Sequence, residues 1–152
     1  MADSIREKIV ADLITTLKSI RTDNGYQFKF SEIYRLPRSG FNVRGYPACL
    51  VVEVGEDKTD GVPMAYTTCT LHMQFICWNR KTNNASEESI KVLANVEKAL
   101  KVDITRGGNA YDTNITTNEM ILAEELLPNG GVIVNFDVLY RHNIADPFTI
   151  GA

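Results

Sequence analysis

Val132-Ile133-Val134-Asn135-Phe136-Asp137-Val138-Leu139-Tyr140-Arg141 is the stretch that decides the fold. Val132, Val134, Phe136, Val138 and Tyr140 alternate with Ile133, Asn135, Asp137, Leu139 and Arg141. A period of 2 places the first set on one face of a strand and the second on the other. Upstream, residues 115–127 are rich in β-branched side chains, and Pro128-Asn129-Gly130-Gly131 separates the two runs. Pro fixes φ while Asn and Gly accept positive φ, so a chain reversal is expected there. The reading is a long antiparallel hairpin over residues 114–142, with an apolar face that other elements must cover.

Two segments carry the pattern of a cover. Over residues 4–20, Ile5, Ile9, Leu13, Leu17 and Ile20 recur at helical spacing, with Val10 and Ile14 widening the stripe. Ser4 followed by Glu7 has the spacing of a capping box, in which each residue satisfies an amide of the other. A second helix is expected from a cap at Asn84 or Ser86 to about Leu100, with Ile90, Leu93, Val96 and Leu100 as its apolar stripe. Glu87 and Glu88 in its first turn and Lys98 and Lys101 in its last suit the helix dipole.

Between the helices, residues 26–36 read as a strand or irregular extended arm, and residues 37–47 as a flexible loop. Residues 48–54 form a nearly continuous apolar run, expected to be a central strand. Residues 55–63 read as a polar turn. Residues 65–78 alternate again, with Cys69, Leu71, Met73, Phe75 and Cys77 on one face. Arg106-Gly107-Gly108-Asn109 reads as a break, and residues 143–152 as an irregular C-terminal extension. The expected fold is a single α+β domain over residues 1–152. It is a two-layer sandwich, with a mainly antiparallel sheet of about four to five strands and two helices packed on one face.

The chain is 44% hydrophobic and 23% charged, with a net charge of −3. These values are ordinary for a globular protein and give no support to wrapping of nucleic acid or to a polybasic membrane contact. No apolar run is long enough to span a bilayer, and no secretory leader is expected after Met1. Cys49, Cys69 and Cys77 are odd in number and sit in strand-like runs, which suits small apolar filler in a reducing compartment. Without a leader, the triplets Asn84-Ala-Ser86 and Asn114-Ile-Thr116 carry no weight as glycosylation sites.

Candidate chemistry is sparse. Cys69 and His72 have the look of half a metal site, but residues three apart on a strand face opposite ways. Cys77 needs a base within hydrogen-bond reach to act as a nucleophile, and only His72 and His142 are present. Glu124 and Glu125 are adjacent and do not form a dyad. Neither Gly107-Gly108 nor Gly130-Gly131 has the pattern of a phosphate loop. No catalytic, cofactor-binding or metal-binding residue is assigned, no cofactor is expected, and the chain is not read as an enzyme.

Charge layout says more. Residues 21–46 hold Arg21, Lys29, Arg35, Arg38 and Arg44 against Asp23 and Glu32. Residues 111–137 hold Asp112, Glu119, Glu124, Glu125 and Asp137, with no Lys or Arg. Ordinary surface scatter is one reading of this layout. The sharper reading is a head-to-tail contact between a basic arm and the acidic hairpin of the next copy, and such contacts close into rings. The candidate interface residues are Arg35, Arg38, Arg44, Asp57, Lys58, Glu119, Glu124 and Glu125, with residues 35–45 and 56–63 as contact loops.

The layout resembles the tail terminator, or tail completion, proteins of tailed bacteriophages, of the lambda minor tail protein U type. An N-terminal helix leads through an arm to Tyr46-Pro47-Ala48 and the strand Leu50-Val51-Val52-Glu53-Val54. A long strand over residues 67–78 and a helix after Ala85 follow. The chain then runs through Val132 to Tyr140-Arg141 and on to Asp146-Pro147. The resemblance lies in the arrangement of elements along nearly the whole chain. It implies a structural virion protein at the tail–neck junction, assembled in the host cytoplasm. Its subunits would form a hexameric ring that caps the tail tube, stops tube polymerisation and offers the attachment surface for the head. The implied partners are the chain itself, the tail tube protein and a head–tail connector or neck protein, with no direct recognition of nucleic acid and no membrane. A head-completion or neck subunit of the same virion is the alternative. A small intracellular enzyme using His142, Cys77 and the carboxylates is the third reading.

Overall fold

The alternating run at 132–141 is the interior of a strand that pairs along its whole length. In the computed structural model, which describes residues 3–35, 44–61, 65–80, 85–121 and 130–151, the elements are α1 (Ile5–Lys18), β1 (Glu32–Arg35), β2 (Ala48–Asp60), β3 (Tyr66–Asn79), α2 (Ala85–Val102), β4 (Asp112–Ile121), β5 (Gly130–Asn143) and β6 (Asp146–Ile150). A short 3-10 turn, Thr22–Asn24, follows α1. The sheet order is β1-β2-β3-β5-β4, with β6 pairing to β5 off that path. β3 and β5 are paired from Tyr66↔Asn143 to Asn79↔Gly130.

The fold is α+β, with two helices and a mixed sheet of six strands. The sheet exceeds the expected four to five strands. β1 also runs parallel to β2, with Glu32 opposite Ala48 and Arg35 opposite Val51. β1 lies in the segment read as a strand or irregular arm and β6 in the extension read as irregular, because each is too short to display an alternation: four and five residues.

Register stacks the core-side positions in rows, apolar except where Glu53 begins the charged end. Cys49, Cys77 and Val132 stand side by side, as do Val51, Phe75 and Val134, and then Glu53, Met73 and Phe136. The Phe75 and Phe136 rings meet edge to face at 4.7 Å. Ile5, Ile9, Val10, Leu13 and Leu17 of α1 join Val92, Val96, Ala99 and Leu100 of α2 and this sheet face in one core. Burying such side chains supplies the main drive to fold, about 1.5–3 kcal/mol for each large one.

Several sequence expectations change. The expected polar turn at 55–63 is strand as far as Asp60. A bulge between Glu53 and Gly55 shifts the register by one, so Glu56, Lys58 and Asp60 stand on the same side as Cys49 and Val51. Gly55 takes φ +153° there, a backbone state that other residues rarely adopt. The polar composition of this segment marks a strand end with exposed residues rather than a turn. Gly130 and Gly131 are likewise strand, opposite Asn79 and Trp78. A Cβ on Gly131 would lie 2.0 Å from the Cys77 carbonyl oxygen, so glycine serves a close approach of two strands. Pro128 and Asn129 lie outside the described residues, as do most of the loop at 37–47 and residues 122–127 of the expected first hairpin strand.

Helix α2 buries Val96 and Leu100 of the expected stripe and packs Leu93 against the core, but turns Ile90 outward. Ile90 is 56% exposed, while Ser89, Val92, Asn95, Val96, Ala99 and Leu100 are buried. Two polar residues on the buried face disguised it. Asn79 Nδ2 donates to Ser89 Oγ at 2.9 Å. Asn95 accepts from the Gln27 amide at 3.1 Å and donates to Gln27 Oε1 at 2.9 Å, which holds the irregular arm after α1. Of the two proposed caps, Ser86 lies inside the helix and Asn84 is outside the described residues.

The segment after α2 is more than a break. Arg106 is fully buried at φ +50°. Its Nη2 donates to the carbonyls of Leu100, at 2.7 Å, and Asp103, closing the helix end. Nη1 reaches Thr16 Oγ1 at 3.3 Å and Asp12 at 3.5 Å, which ties α2 to α1.

Candidate functional site

Two polar systems stand out, one on each side of the sheet. The first is a run of alternating charges along the β2 bulge. Arg35 bonds Glu7 at 2.7 Å and Glu53 at 3.1 Å. Arg6 bonds Glu53 at 2.9 Å and lies 3.6 Å from Glu56. Lys58 lies 3.3 Å from Glu56 and 3.0 Å from His142 Nε2. Tyr140 Oη donates to Glu56 Oε2 at 2.6 Å, and burial followed by this bond pushes the phenol pKa far up. His142 Nδ1 sits 2.7 Å from the Asn143 carbonyl. A carbonyl can only accept, so Nδ1 carries the proton and Nε2 can accept from Lys58. The system joins α1, β1, β2 and β5.

The second system lies on the other face of the sheet. The residues that alternate with the core on β3 and β5 are half-buried there. One end is apolar: Leu50, Ile76 and Ile133 form a row beside Trp78. The middle is polar. Gln74 donates to Asn135 at 3.0 Å, and Asn135 donates to Thr117 at 3.0 Å. His72 bridges two acids, with Nδ1 2.7 Å from Asp137 and Nε2 2.8 Å from Asp57. Both ring nitrogens donate in that arrangement, which is the imidazolium form. The bonds to Asp57 and then Asp137 raise the His72 pKa above 6.5. At the far end, Arg141 lies between the rings of Tyr66, at 4.6 Å, and Tyr111, at 4.9 Å.

β4 closes one edge of the sheet. Among the described residues no strand pairs on its outer side, and Thr116 to Met120 are exposed. β1 closes the other edge. Arg44 stands beside β1, its amide donating to Tyr34 Oη at 3.3 Å.

The candidate interface residues do not converge. Arg35 is committed to Glu7 and Glu53, Lys58 to Glu56 and His142, and Asp57 to His72. Glu119 is exposed on β4, opposite Ile133 of β5. β1 and β4 are four strand spacings apart, roughly 19 Å. Arg38, Glu124 and Glu125 lie outside the described residues. Of the two proposed contact loops, 56–60 is strand and 36–43 is outside the described residues.

The residues named for the enzyme reading, Cys77 and His142, are not brought together. Cys77 is opposite Val132, whereas His142 lies ten residues further along β5, roughly 33 Å away at the rise of a strand. Cys77 and Cys49 are buried with their sulfurs 3.7 Å apart, and burial pushes the Cys49 thiol well up, away from a reactive thiolate. Cys69 faces the core while His72 faces outward. Among the described residues no cluster of His, Cys, Asp and Glu is arranged to hold a metal ion.

Sequence reading missed the His72 bridge, the Glu53–Arg6–Glu56 network and the stacked Arg141. Alternation already placed His72, Asp137 and Arg141 on outward positions. Their partners depend on register, which alternation leaves open.

A scan against protein-family models and a search of curated proteins gave no match for this chain. Among the described residues no helix is long and apolar enough to cross a membrane.

Proposed function

We propose that the protein is a structural virion subunit of the tail-terminator kind. It assembles head to tail into a ring that caps the tail tube, stops tube growth and presents a surface to the head connector. The observation that carries this reading is the placement of opposite charge at opposite sheet edges. Arg44 stands beside β1, and Asp112 and Glu119 lie on β4, on whose outer side no strand pairs among the described residues. An edge strand of ten residues offers backbone hydrogen bonds to a neighbour. Complementary edges on one chain favour a heterologous contact, and a heterologous contact that closes makes a ring. The resemblance in element order supports the same assignment.

In this reading the two helices form one layer of a two-layer sandwich. The sheet forms the other, and its outward face is turned to the tube or the neck. The chain acts by association in the virion, without cofactor, membrane or direct contact with nucleic acid.

Light scattering on the purified chain, alone and with tail tubes, tests the reading. A hexameric mass, or capped tube ends in negative stain, is expected, with Arg44→Glu abolishing either. Monomers that leave tube ends bare and growing would overturn it. Binding at the portal side alone would move the assignment to a neck subunit.

A further inference from the structure

We propose that Arg141 is the recognition group of a small carboxylate-binding pocket on the outward face of the sheet. The pocket has a volume of about 140 Å³, and Arg141, Tyr111, Ile150, Asn109 and Ala110 contribute to its walls. The guanidinium carbon lies over two rings, 4.6 Å from the Tyr66 centroid and 4.9 Å from that of Tyr111. Stacking of this kind orients a guanidinium without consuming its N–H groups.

Among the described residues those N–H groups have no acceptor. Arg6, Arg21, Arg35 and Arg106 each meet a carboxylate, whereas Arg141 has no ion pair among the described residues. Its Nε is shielded from water and has no hydrogen-bond partner. A group shielded from water is shielded from a ligand oxygen of the same size, so a ligand would meet the Nη groups, which donate no hydrogen bond among the described residues and are not shielded as Nε is. The guanidinium fork matches a planar carboxylate in a bidentate pair.

The pocket also has built walls. Gly151 donates its amide to the Arg141 carbonyl at 3.1 Å. A Cβ there would fall 2.7 Å from Tyr66 Cβ and 3.1 Å from Arg141 Cβ, so glycine lets the tail close against both residues. Ligand class follows from the lining. There is one cation, with no second Lys or Arg among the lining residues, which disfavours a phosphate dianion. Ile150, Ala110 and the Tyr111 ring favour a compact apolar body behind the charge. A monocarboxylate of a few carbons meets both demands. It can be a free acid or the side-chain carboxylate of a second copy. The inference stands apart from the ring reading.

The test is an amide-correlation NMR titration of the full chain with sodium propionate, against sodium phosphate and sodium chloride at equal ionic strength. Saturable shifts at the Gly108 and Gly151 amides are expected with propionate only. Arg141→Gln should weaken binding more than tenfold, and Arg141→Lys should weaken it less. If Arg141→Gln fails to fold, Tyr111→Leu, which removes one ring at the exposed rim, should weaken binding severalfold. Absent or non-saturating shifts, equal binding of phosphate, or undiminished binding by a folded Arg141→Gln or Tyr111→Leu would overturn the proposal. Sedimentation in rising propionate separates the two sources. A falling mass identifies a second copy's carboxylate as the natural occupant, and a constant mass identifies a free acid.

Discussion

Arg35 and Glu7 form a bidentate pair, with Nη1 2.7 Å from Oε1 and Nη2 2.8 Å from Oε2. The pair pins β1 to the first turn of α1 and explains why the capping box is only half used. Ser4 Oγ accepts from the Glu7 amide at 3.1 Å, while the Glu7 carboxylate turns to Arg35. The hydrogen bonds from Arg35 hold the Glu7 pKa below its ordinary 4.5. A depressed carboxyl pKa contributes stability above the unfolded value, and that contribution is lost as pH falls through the folded value. Arg35→Ala should therefore lose stability at pH 7 and little at pH 3. With side-chain exposures of 37% and 39%, screening limits the pH 7 loss to about 1 kcal/mol or less. Urea midpoints at the two pH values check this, and added salt should shrink the difference.

That pair also marks where sequence reading stops. The alternations at 132–141 and 65–78 gave β5 and β3 with the correct inward faces, because a period of 2 is a local property. The stripe of α1 was legible for the same reason. Ile90 misled because its apolar character outweighed that of Ser89 and Asn95, whose burial depends on Asn79 and Gln27. The turn assigned to 55–63 was started too early, because polarity was taken for a reversal that comes only after Asp60. Here the polarity belongs to a strand that continues through a bulge. Arg35 was assigned to an interface because its distant acids, Glu7 and Glu53, meet it only after folding. Arg106 gave no local signal beyond the two glycines that follow it.

His72 joins β2, β3 and β5 through Asp57 and Asp137. Its pKa is raised above 6.5, first by the bond to Asp57 and then by that to Asp137. A raised histidine pKa contributes stability that is fully present below the unfolded value and is lost as pH rises through the folded value. Denaturant unfolding should therefore show stability falling as pH rises above about 6.5, and His72→Gln should remove most of that slope. With Asp57 85% exposed, the total change is about 1 kcal/mol or less. An imidazole resonance titrating at or below 6.5 would refute the bridge.

Gly131 tests the close approach of β3 and β5. Its backbone is ordinary for a strand, but an added Cβ would sit 2.0 Å from the Cys77 carbonyl and 3.2 Å from Ile121 Cδ1. Gly131→Ala must therefore move two strands apart where β4 also pairs. The expected loss is about 2–3 kcal/mol, in the range of overpacked cores. A Gly25→Ala control meets nothing within 4 Å, although its φ of +87° adds backbone strain. Gly131→Ala should lose more stability than that control, and faster amide exchange should concentrate in β3 and β5 near residues 77–79 and 130–132. Equal losses for the two variants would show that backbone strain, rather than contact, sets the glycine requirement.

Arg106 holds α2 to α1 through the Leu100 and Asp103 carbonyls, Thr16 and Asp12. Removing a fully buried guanidinium strands those acceptors, so Arg106→Ala should cost roughly 3 kcal/mol. At φ +50° alanine is itself strained, and Arg106→Gly should recover about 1 kcal/mol of that loss. Burial already raises the Asp12 pKa, with Arg106 opposing it and Asp103 adding to it. Without Arg106 the Asp12 carboxylate loses its counter-charge, and Asp12→Asn should then be less harmful than in the wild-type chain. A double-mutant cycle by guanidinium unfolding measures that coupling. Strict additivity of the two substitutions would mean that Arg106 acts through the helix-end carbonyls alone, and that the 3.5 Å contact with Asp12 contributes nothing.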